Sequence, residues 1–472
     1  MKKYKIYAAG SFVETAKQLE IRRPFDGSIF ASVGIADSSL LEECIIAASN
    51  ASEVMRKMPS FERSSILSMI TDGMQDRRMV LAEVLCQETA KPLKFAIGEV
   101  DRAIQTVKIA SEEARRIQGE YLSLDWTPAG AGKEGWVKYF PVGVVGAISP
   151  FNFPLNLSVH KLAPALAAGN AILLKPASQT PVTVLELAAI IDATPLPKGA
   201  VSILPMSRLT GSALATDPRI NLLTFTGSPD VGWNLKSQAG KKKVVLELGG
   251  NAGVLVSRTA EREVAVRKCV VGAFSYSGQV CIHVQRILVE KSVFNTFCLR
   301  FIELTRELRA GDPMDANTDI SAMIDEPNAV RVEEWINEAV EAGARVLYGG
   351  KRTGSYVEPT VITGTQTDMK VCGLEVFGPV VTIDPIDSIS EGIIRINDSK
   401  YGLQAGVFTN DLREMNEAFN DLHVGGVVIN DVPTFRVDHM PYGGIKDSGL
   451  GREGVKYAIL EMMESKLLVR NF

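Results

Sequence analysis

Cys281 closes the run Phe274-Ser-Tyr-Ser-Gly-Gln-Val-Cys281, and a lone carboxylate, Glu247, interrupts the apolar run Val244-Val-Leu-Glu247-Leu-Gly-Gly250. A cysteine that forms a covalent intermediate needs a base that brings water to release it. This thiol and this carboxylate are candidates for that pair. Asn152, in Pro150-Phe-Asn152-Phe-Pro154, reads by itself as a turn residue before a helix that Pro154 opens. Metal chemistry has no comparable signal. The four histidines (His160, His283, His423, His439) show no ligand spacing, and the six cysteines contain no C-x-x-C pair. The same scatter argues against a disulfide framework.

A second constellation suits a nucleotide. In Leu222-Leu-Thr-Phe-Thr-Gly227-Ser228-Pro-Asp-Val-Gly232 an apolar strand ends in a small-residue turn and a helix begins. Free backbone N–H groups at such a helix start can hold a pyrophosphate. Lys175 ends the strand-like run Ala171-Ile-Leu-Leu, where a cation would face the ligand crevice of an α/β sheet. By contrast, Gly449-Leu-Gly451-Arg-Glu-Gly454 matches the G-x-G-x-x-G spacing without a strand before it or enough chain after it, and reads as a turn.

These residues need a scaffold. From about residue 38 to 120 apolar positions recur at helical spacing, as in Leu40-Leu41, Cys44-Ile45 and Ala48. Between 143 and 250 nearly continuous apolar runs alternate with helical stretches: Gly143–Ile148, Ala171–Leu174, Val201–Leu204, Leu222–Phe225 and Val244–Leu248. Such runs predict a parallel sheet covered on both faces. A second α/β series runs from about 253 to 431, through Gly253–Val256, Arg286–Val289, Val380–Ile383 and Gly426–Ile429. The fold class is therefore α/β with two doubly wound parallel-sheet domains. Trp136–Phe140 and the tail Lys466–Phe472 read as further strands, and a strand at a chain end needs a sheet, which a neighbouring subunit can provide. A homo-oligomer is expected.

With 51 Lys+Arg against 55 Asp+Glu, the formal charge of -4 provides no basic surface for nucleic acid. No run reaches the roughly 20 apolar residues of a membrane span, and the N-terminus lacks a signal-peptide core. The expected setting is the cytoplasm, with no membrane partner.

Seven motifs in order give the chain a strong resemblance to the aldehyde dehydrogenase superfamily: Pro150-Phe-Asn152-Phe-Pro154, Lys175-Pro176, Phe225-Thr-Gly-Ser228, Glu247-Leu-Gly-Gly250, Gly278-Gln-Val-Cys281, Glu375-Val-Phe377-Gly-Pro379 and Pro441-Tyr-Gly-Gly444. The resemblance implies a Rossmann-like cofactor domain (1–118 and 142–246), a catalytic domain (247–440) and a small β oligomerisation domain made of a hairpin (119–141) and a C-terminal strand (455–472), in a homodimer or homotetramer. It also implies roles. Cys281 would attack the aldehyde to give a thiohemiacetal, Asn152 and the Cys281 backbone N–H would hold its oxygen, and Glu247 would activate water against the resulting thioester. Ser149, Phe151, Lys175, Ser178, Gly227, Ser228, Gly249, Glu375 and Phe377 would bind the cofactor, with Glu375 on the nicotinamide ribose and Phe377 positioning the ring.

Many NAD-using members carry a glutamate where this chain has Ser178. Losing that charge while keeping Lys175 leaves room and a cation for a 2′-phosphate, so NADP is expected to be accepted or preferred, with NAD use left open. His160 and Ser275 stand where succinate-semialdehyde members have arginines, and Val280 stands where glyceraldehyde-3-phosphate members have one. His160, Arg436, His439 and the more distant Arg102 remain as polar substrate contacts, in a loop like that of lactaldehyde, glyceraldehyde, phosphonoacetaldehyde or sulfolactaldehyde dehydrogenases. The expected substrate is a short polar aldehyde that can carry an anionic group. The rival readings are a CoA-acylating or succinate-semialdehyde-type enzyme and a catalytically silent scaffold. Glu247 speaks against acyl transfer to CoA, and the intact trio against silence.

Overall fold

Five strands of almost unbroken apolar sequence lie parallel in the order Lys243–Glu247, Leu222–Thr226, Val144–Ile148, Ala171–Lys175, Val201–Ile203. They need no polar face because both sides are covered; every residue of Ala171–Lys175 is buried. The computed structural model describes residues 2–472 and adds antiparallel edges to this sheet. The hairpin Ile6–Ala8 and Ser11–Val13 closes one side, and Gly449–Leu450 pairs with the Glu247 strand on the other. The apparent dinucleotide motif is thus more than a turn: its first two residues form an edge strand, with Gly449 opposite Glu247.

From Val144–Ile148 the chain steps outward to Val201–Ile203, then returns to the other side with Leu222–Thr226. The order reverses between those two neighbours, and the crevice above their carboxyl ends is where open α/β sheets bind ligands. The helix Pro154–Ala168 starts there, with proline at its first position, and is buried along its whole length. The helical lead-in, Ser38–Lys57, Ser60–Asp76, Arg78–Thr89 and Leu93–Glu113, includes the helix that packs against it.

The second sheet has seven strands in the order Arg345–Tyr348, Thr360–Thr363, Val380–Ile386, Arg286–Glu290, Gly253–Val256, Gln404–Phe408, Gly426–Ile429, parallel except at the first pair. A third sheet joins Glu120–Ser123, Lys133–Pro141 and Met463–Asn471 antiparallel. The C-terminal strand therefore finds its sheet in its own chain, from Met463 opposite Pro141 to Asn471 opposite Lys133. The segment expected to begin that strand at 455 begins with the helix Val455–Glu461, whose Val455 and Ile459 enter the core of the first domain. No helix among the described residues is long and apolar enough to cross a membrane, and no three His, Cys, Asp or Glu gather there as a metal site.

Candidate active site

Asn152 lies in the loop between Val144–Ile148 and its buried helix, at the reversal point of the first sheet. The side chain is buried, and Nδ2 donates to the Gln279 carbonyl at 3.0 Å. An amide nitrogen carries two hydrogens, so one remains for a substrate oxygen. Gln279 is two residues before Cys281, and this hydrogen bond ties the loop of the first sheet to the nucleophile loop of the second.

Cys281 follows the helix Arg262–Phe274 through a reversal in which Tyr276, Ser277 and Gly278 all take left-handed φ values of 50°, 52° and 68°. A Cβ at Gly278 would lie 2.1 Å from the Gly378 carbonyl, so only glycine fits. The thiol is half-buried and lies 3.4 Å from the Tyr442 hydroxyl. Burial pushes it up to about 11, against a partial offset from that hydroxyl, so the resting group is a thiol and not a thiolate.

Glu247 ends the edge-side strand of the first sheet, buried, with both carboxylate oxygens lacking a hydrogen-bond partner. Burial and then the negative charge of Glu453 push its carboxyl well above the usual range, opposed by Arg436, Lys161 and Arg452. Glu453 is held the other way. Against its own burial, Lys161 and Arg436 bring it down to about 2. Lys161, on the Asn152 helix, donates to Thr226 at 2.7 Å and Thr224 at 3.1 Å, with Glu453 at 3.4 Å. One carboxylate is thus fixed as an anion, and the other is poised to take or give a proton.

Of the expected substrate contacts, three converge. Arg436 pairs with Glu453 at 2.9 Å and lies 3.8 Å from the centroid of the Tyr442 ring, with 6% of its side chain exposed. His160 is enclosed and bonds Asp438 through Nε2 at 2.8 Å, while its Nδ1 has no partner. Arg102 donates to both oxygens of Asp438, at 2.7 and 3.3 Å. Both arginines therefore carry an internal counter-ion, Glu453 or Asp438. His439 is exposed and does not join them.

The residues expected to hold the cofactor lie at the carboxyl ends of the first sheet and in a loop that faces them from the second. Ser149 and the turn Gly227-Ser228 follow adjacent strands, and the helix Pro229–Gln238 starts without a side-chain cap. Lys175 is buried; among the described residues its ammonium makes a single, long hydrogen bond, to the Pro176 carbonyl, and burial with nearby Arg208 lowers its pKa. Two cations side by side suit an anion. Ser178 lies in the loop after Lys175. Glu375 reaches across from the second domain to accept the Gly250 N–H at 3.0 Å, and burial pushes it up to about 7. A Cβ at Gly249 would strike that carboxylate at 2.2 Å, so the Glu375 side chain closes directly over the Gly249 backbone. Phe151 and Phe377 meet edge to face, 5.7 Å between centroids. These donors fit a dinucleotide with a 2′-phosphate at Lys175 and Arg208.

Lys161, Glu453, Asp438, Tyr442 and Arg208 are absent from the sequence expectations. A usable signal existed for two of them: Glu453 is the acidic residue inside the glycine-rich 449–454 turn, and Tyr442 sits in the Pro441-Tyr-Gly-Gly444 motif.

A crevice between two doubly wound sheets, with a thiol, an amide and a buried carboxylate near it, is the arrangement of a nucleotide-dependent enzyme. The profile of the aldehyde dehydrogenase family matches residues 12–468, and the chain belongs to that family of NAD(P)-dependent oxidoreductases. It is 43% identical over 472 residues to 3-sulfolactaldehyde dehydrogenase of Priestia aryabhattai, covering 100% of this chain and 98% of the relative. Among solved structures, aldehyde dehydrogenase 21 from Physcomitrella patens, in complex with the reaction product succinate, superposes with a TM-score of 0.98 at 41% identity, covering 100% of this chain and 98% of that one. The NADP-dependent glyceraldehyde-3-phosphate dehydrogenase from Bacillus halodurans C-125, complexed with NADP, gives 0.97 at 34% identity over 100% of both chains.

Proposed function

We propose that this chain oxidises a short aldehyde with a polar, anionic far end, of the lactaldehyde and sulfolactaldehyde kind, to the free acid, with NADP as preferred acceptor. One observation carries the substrate class: the buried Arg436 guanidinium stacks on Tyr442, whose hydroxyl reaches the Cys281 thiol. A cation one aromatic ring from the nucleophile matches a substrate whose charge is a few bonds from its carbonyl. Arg102 stands beyond it, across Asp438 from His160. The sulfolactaldehyde-acting relative and the succinate held by the moss enzyme support an anionic tail.

Cys281 passes its proton to water as sulfur adds to the carbonyl carbon, and the free Asn152 N–H and the Cys281 backbone N–H receive the developing oxyanion. Lys175, Ser178, Arg208, the Gly227-Ser228 turn and Glu375 would hold NADP, which would supply the hydride acceptor needed to oxidise the adduct to a thioester. Glu247, as carboxylate, then takes a proton from water as the water attacks the thioester carbon, and the Cys281 sulfur leaves as thiolate and recovers that proton. This base favours hydrolysis over transfer to CoA.

The test is kcat/KM for lactaldehyde and 3-sulfolactaldehyde with each cofactor. The sulfonate is expected to win by about tenfold, ~1.4 kcal/mol, and NADP to exceed NAD. Arg436→Met should erase the sulfonate preference and also lower kcat for lactaldehyde near neutral pH, because it removes a cation that opposes the upward shift of the Glu247 carboxyl. Equal values for the two aldehydes would remove the anionic tail, and a strong NAD preference would remove NADP. The same reading includes a cytoplasmic homo-oligomer, supported by Trp136, Leu467, Leu468 and Val469, exposed on the third sheet.

A further inference from the structure

Lys91 has no part in the chemistry above, yet 1% of its side chain is exposed. Taking an ammonium out of water costs several kcal/mol unless it is paired and hydrogen-bonded. Its partners are specific. It is ion-paired with the enclosed Glu99 and donates to the backbone carbonyl of Asn152 at 2.8 Å. It also lies 3.7 Å from the ring centroid of Phe153 and 4.3 Å from that of Tyr276, rings that meet edge to face. The other Glu99 oxygen accepts the N–H groups of Leu155 and Asn156, at 3.0 and 3.2 Å, in the first turn of the Asn152 helix. Phe153 follows Asn152 directly, and Tyr276 opens the left-handed run that leads to Cys281. Lys91 therefore touches the loop of the amide and the loop of the thiol, which belong to different sheets.

We infer that Lys91, held by Glu99, is a positioning residue for the oxyanion site: it pins the Asn152 backbone from behind and sets the spacing between the Asn152 and Cys281 loops. The inference rests on Asn152 receiving the substrate oxygen, as proposed above. Packing alone does not explain the arrangement. A methionine would fill the space between the two rings, but it would leave the Asn152 carbonyl and one oxygen of Glu99 without their donor. Relaxation of that turn would move the Asn152 amide, and a shift near 1 Å at such a group can cost up to about 100-fold in rate.

A double-mutant cycle read by the single-turnover NADPH burst, with NADP and lactaldehyde, decides it. Asn152→Ala alone is expected to slow the burst by about 100-fold. Lys91→Met should slow it by about tenfold or more, with NADP Kd and the rate of Cys281 alkylation by iodoacetamide within about twofold of wild type. The double variant should be no slower than Asn152→Ala, because the Lys91 contribution acts only through the amide. If Lys91→Met does not fold, Glu99→Gln replaces it in the same cycle, since it keeps an acceptor for the helix and removes the counter-charge. Additive losses, a wild-type burst in a folded Lys91 or Glu99 variant, or a matching loss of alkylation rate would overturn the positioning role. An unaltered burst in Asn152→Ala would instead overturn the oxyanion reading itself.

Discussion

Glu247 is buried without a hydrogen-bond partner and faces the charge of Glu453, so its proton is held where an ordinary glutamate has lost it. A base of this kind is active only as carboxylate, so hydrolysis of the thioester should level off at a higher pH than an ordinary glutamate base would give. The same shift predicts a stability effect with a definite sign. The folded pKa lies above the unfolded one, so the stabilisation is full below about 4.5 and is lost as pH rises through the folded value. Glu247→Gln, which cannot ionise, should release one burst of NADPH per subunit with little turnover, and its Tm should gain on wild type increasingly as pH rises. A Tm difference independent of pH would show that Glu247 titrates normally. Cys281 and Glu247 stand out in the sequence because each is a polar residue set against an apolar or small-residue run. Lys161 and Lys91 do not, because their importance lies in partners 292 and 61 residues away, Glu453 and the Asn152 carbonyl. The substrate end was legible only as a set of polar types: that Arg436 and Arg102 each carry their own carboxylate is a fact of packing.

At the scale of elements, the turn before Cys281 carries the tightest constraint. Three consecutive left-handed residues aim the loop, and the backbone at Gly278 runs against Gly378, beside Phe377, itself at φ 49°. Gly278→Ala must push these two loops apart. It is expected to destabilise the protein by about 1–3 kcal/mol and to weaken NADP binding along with the burst, because Phe377 and Glu375 share the displaced loop. Calorimetry and cofactor titration check both, and an unchanged NADP Kd would uncouple the loops. The five parallel strands of the first sheet were legible from apolar run length, with Leu222–Thr226 one residue longer than its sequence expectation; in the second sheet Arg345–Tyr348, Thr360–Thr363 and the buried Gln404–Phe408 were not, because glycine, glutamine and threonine break their apolar runs. The 449–463 segment was not legible. Its glycines suit a turn, and its assignment as edge strand and core helix depends on partners, Glu247 and the Asn152 helix, that no local pattern reveals.

At the scale of the whole molecule, base and amide hang from one sheet and the thiol from the other, with the third sheet projecting its apolar side chains outward. Tyr121, Trp136, Leu468 and Phe472 are exposed by 55, 46, 59 and 73%, more than scattered surface residues require. Leu468→Asp should leave the pairing of Met463–Asn471 with Lys133–Pro141 intact while lowering the mass measured by light scattering toward that of one chain. An unchanged mass would place the subunit interface elsewhere. The segment 430–463 leaves the second sheet and threads back to the first, placing Arg436, Asp438, Tyr442 and Glu453 on the way. During synthesis these residues emerge after nearly every strand they serve. A ribosome halted before residue 436 would release both halves of the crevice with Cys281 in place, but without Glu453, whose charge pushes the Glu247 carboxyl up, or Arg436, which opposes it. A chain interrupted there carries the thiol without the charges that set Glu247, so the crevice is completed only after this late segment has been made.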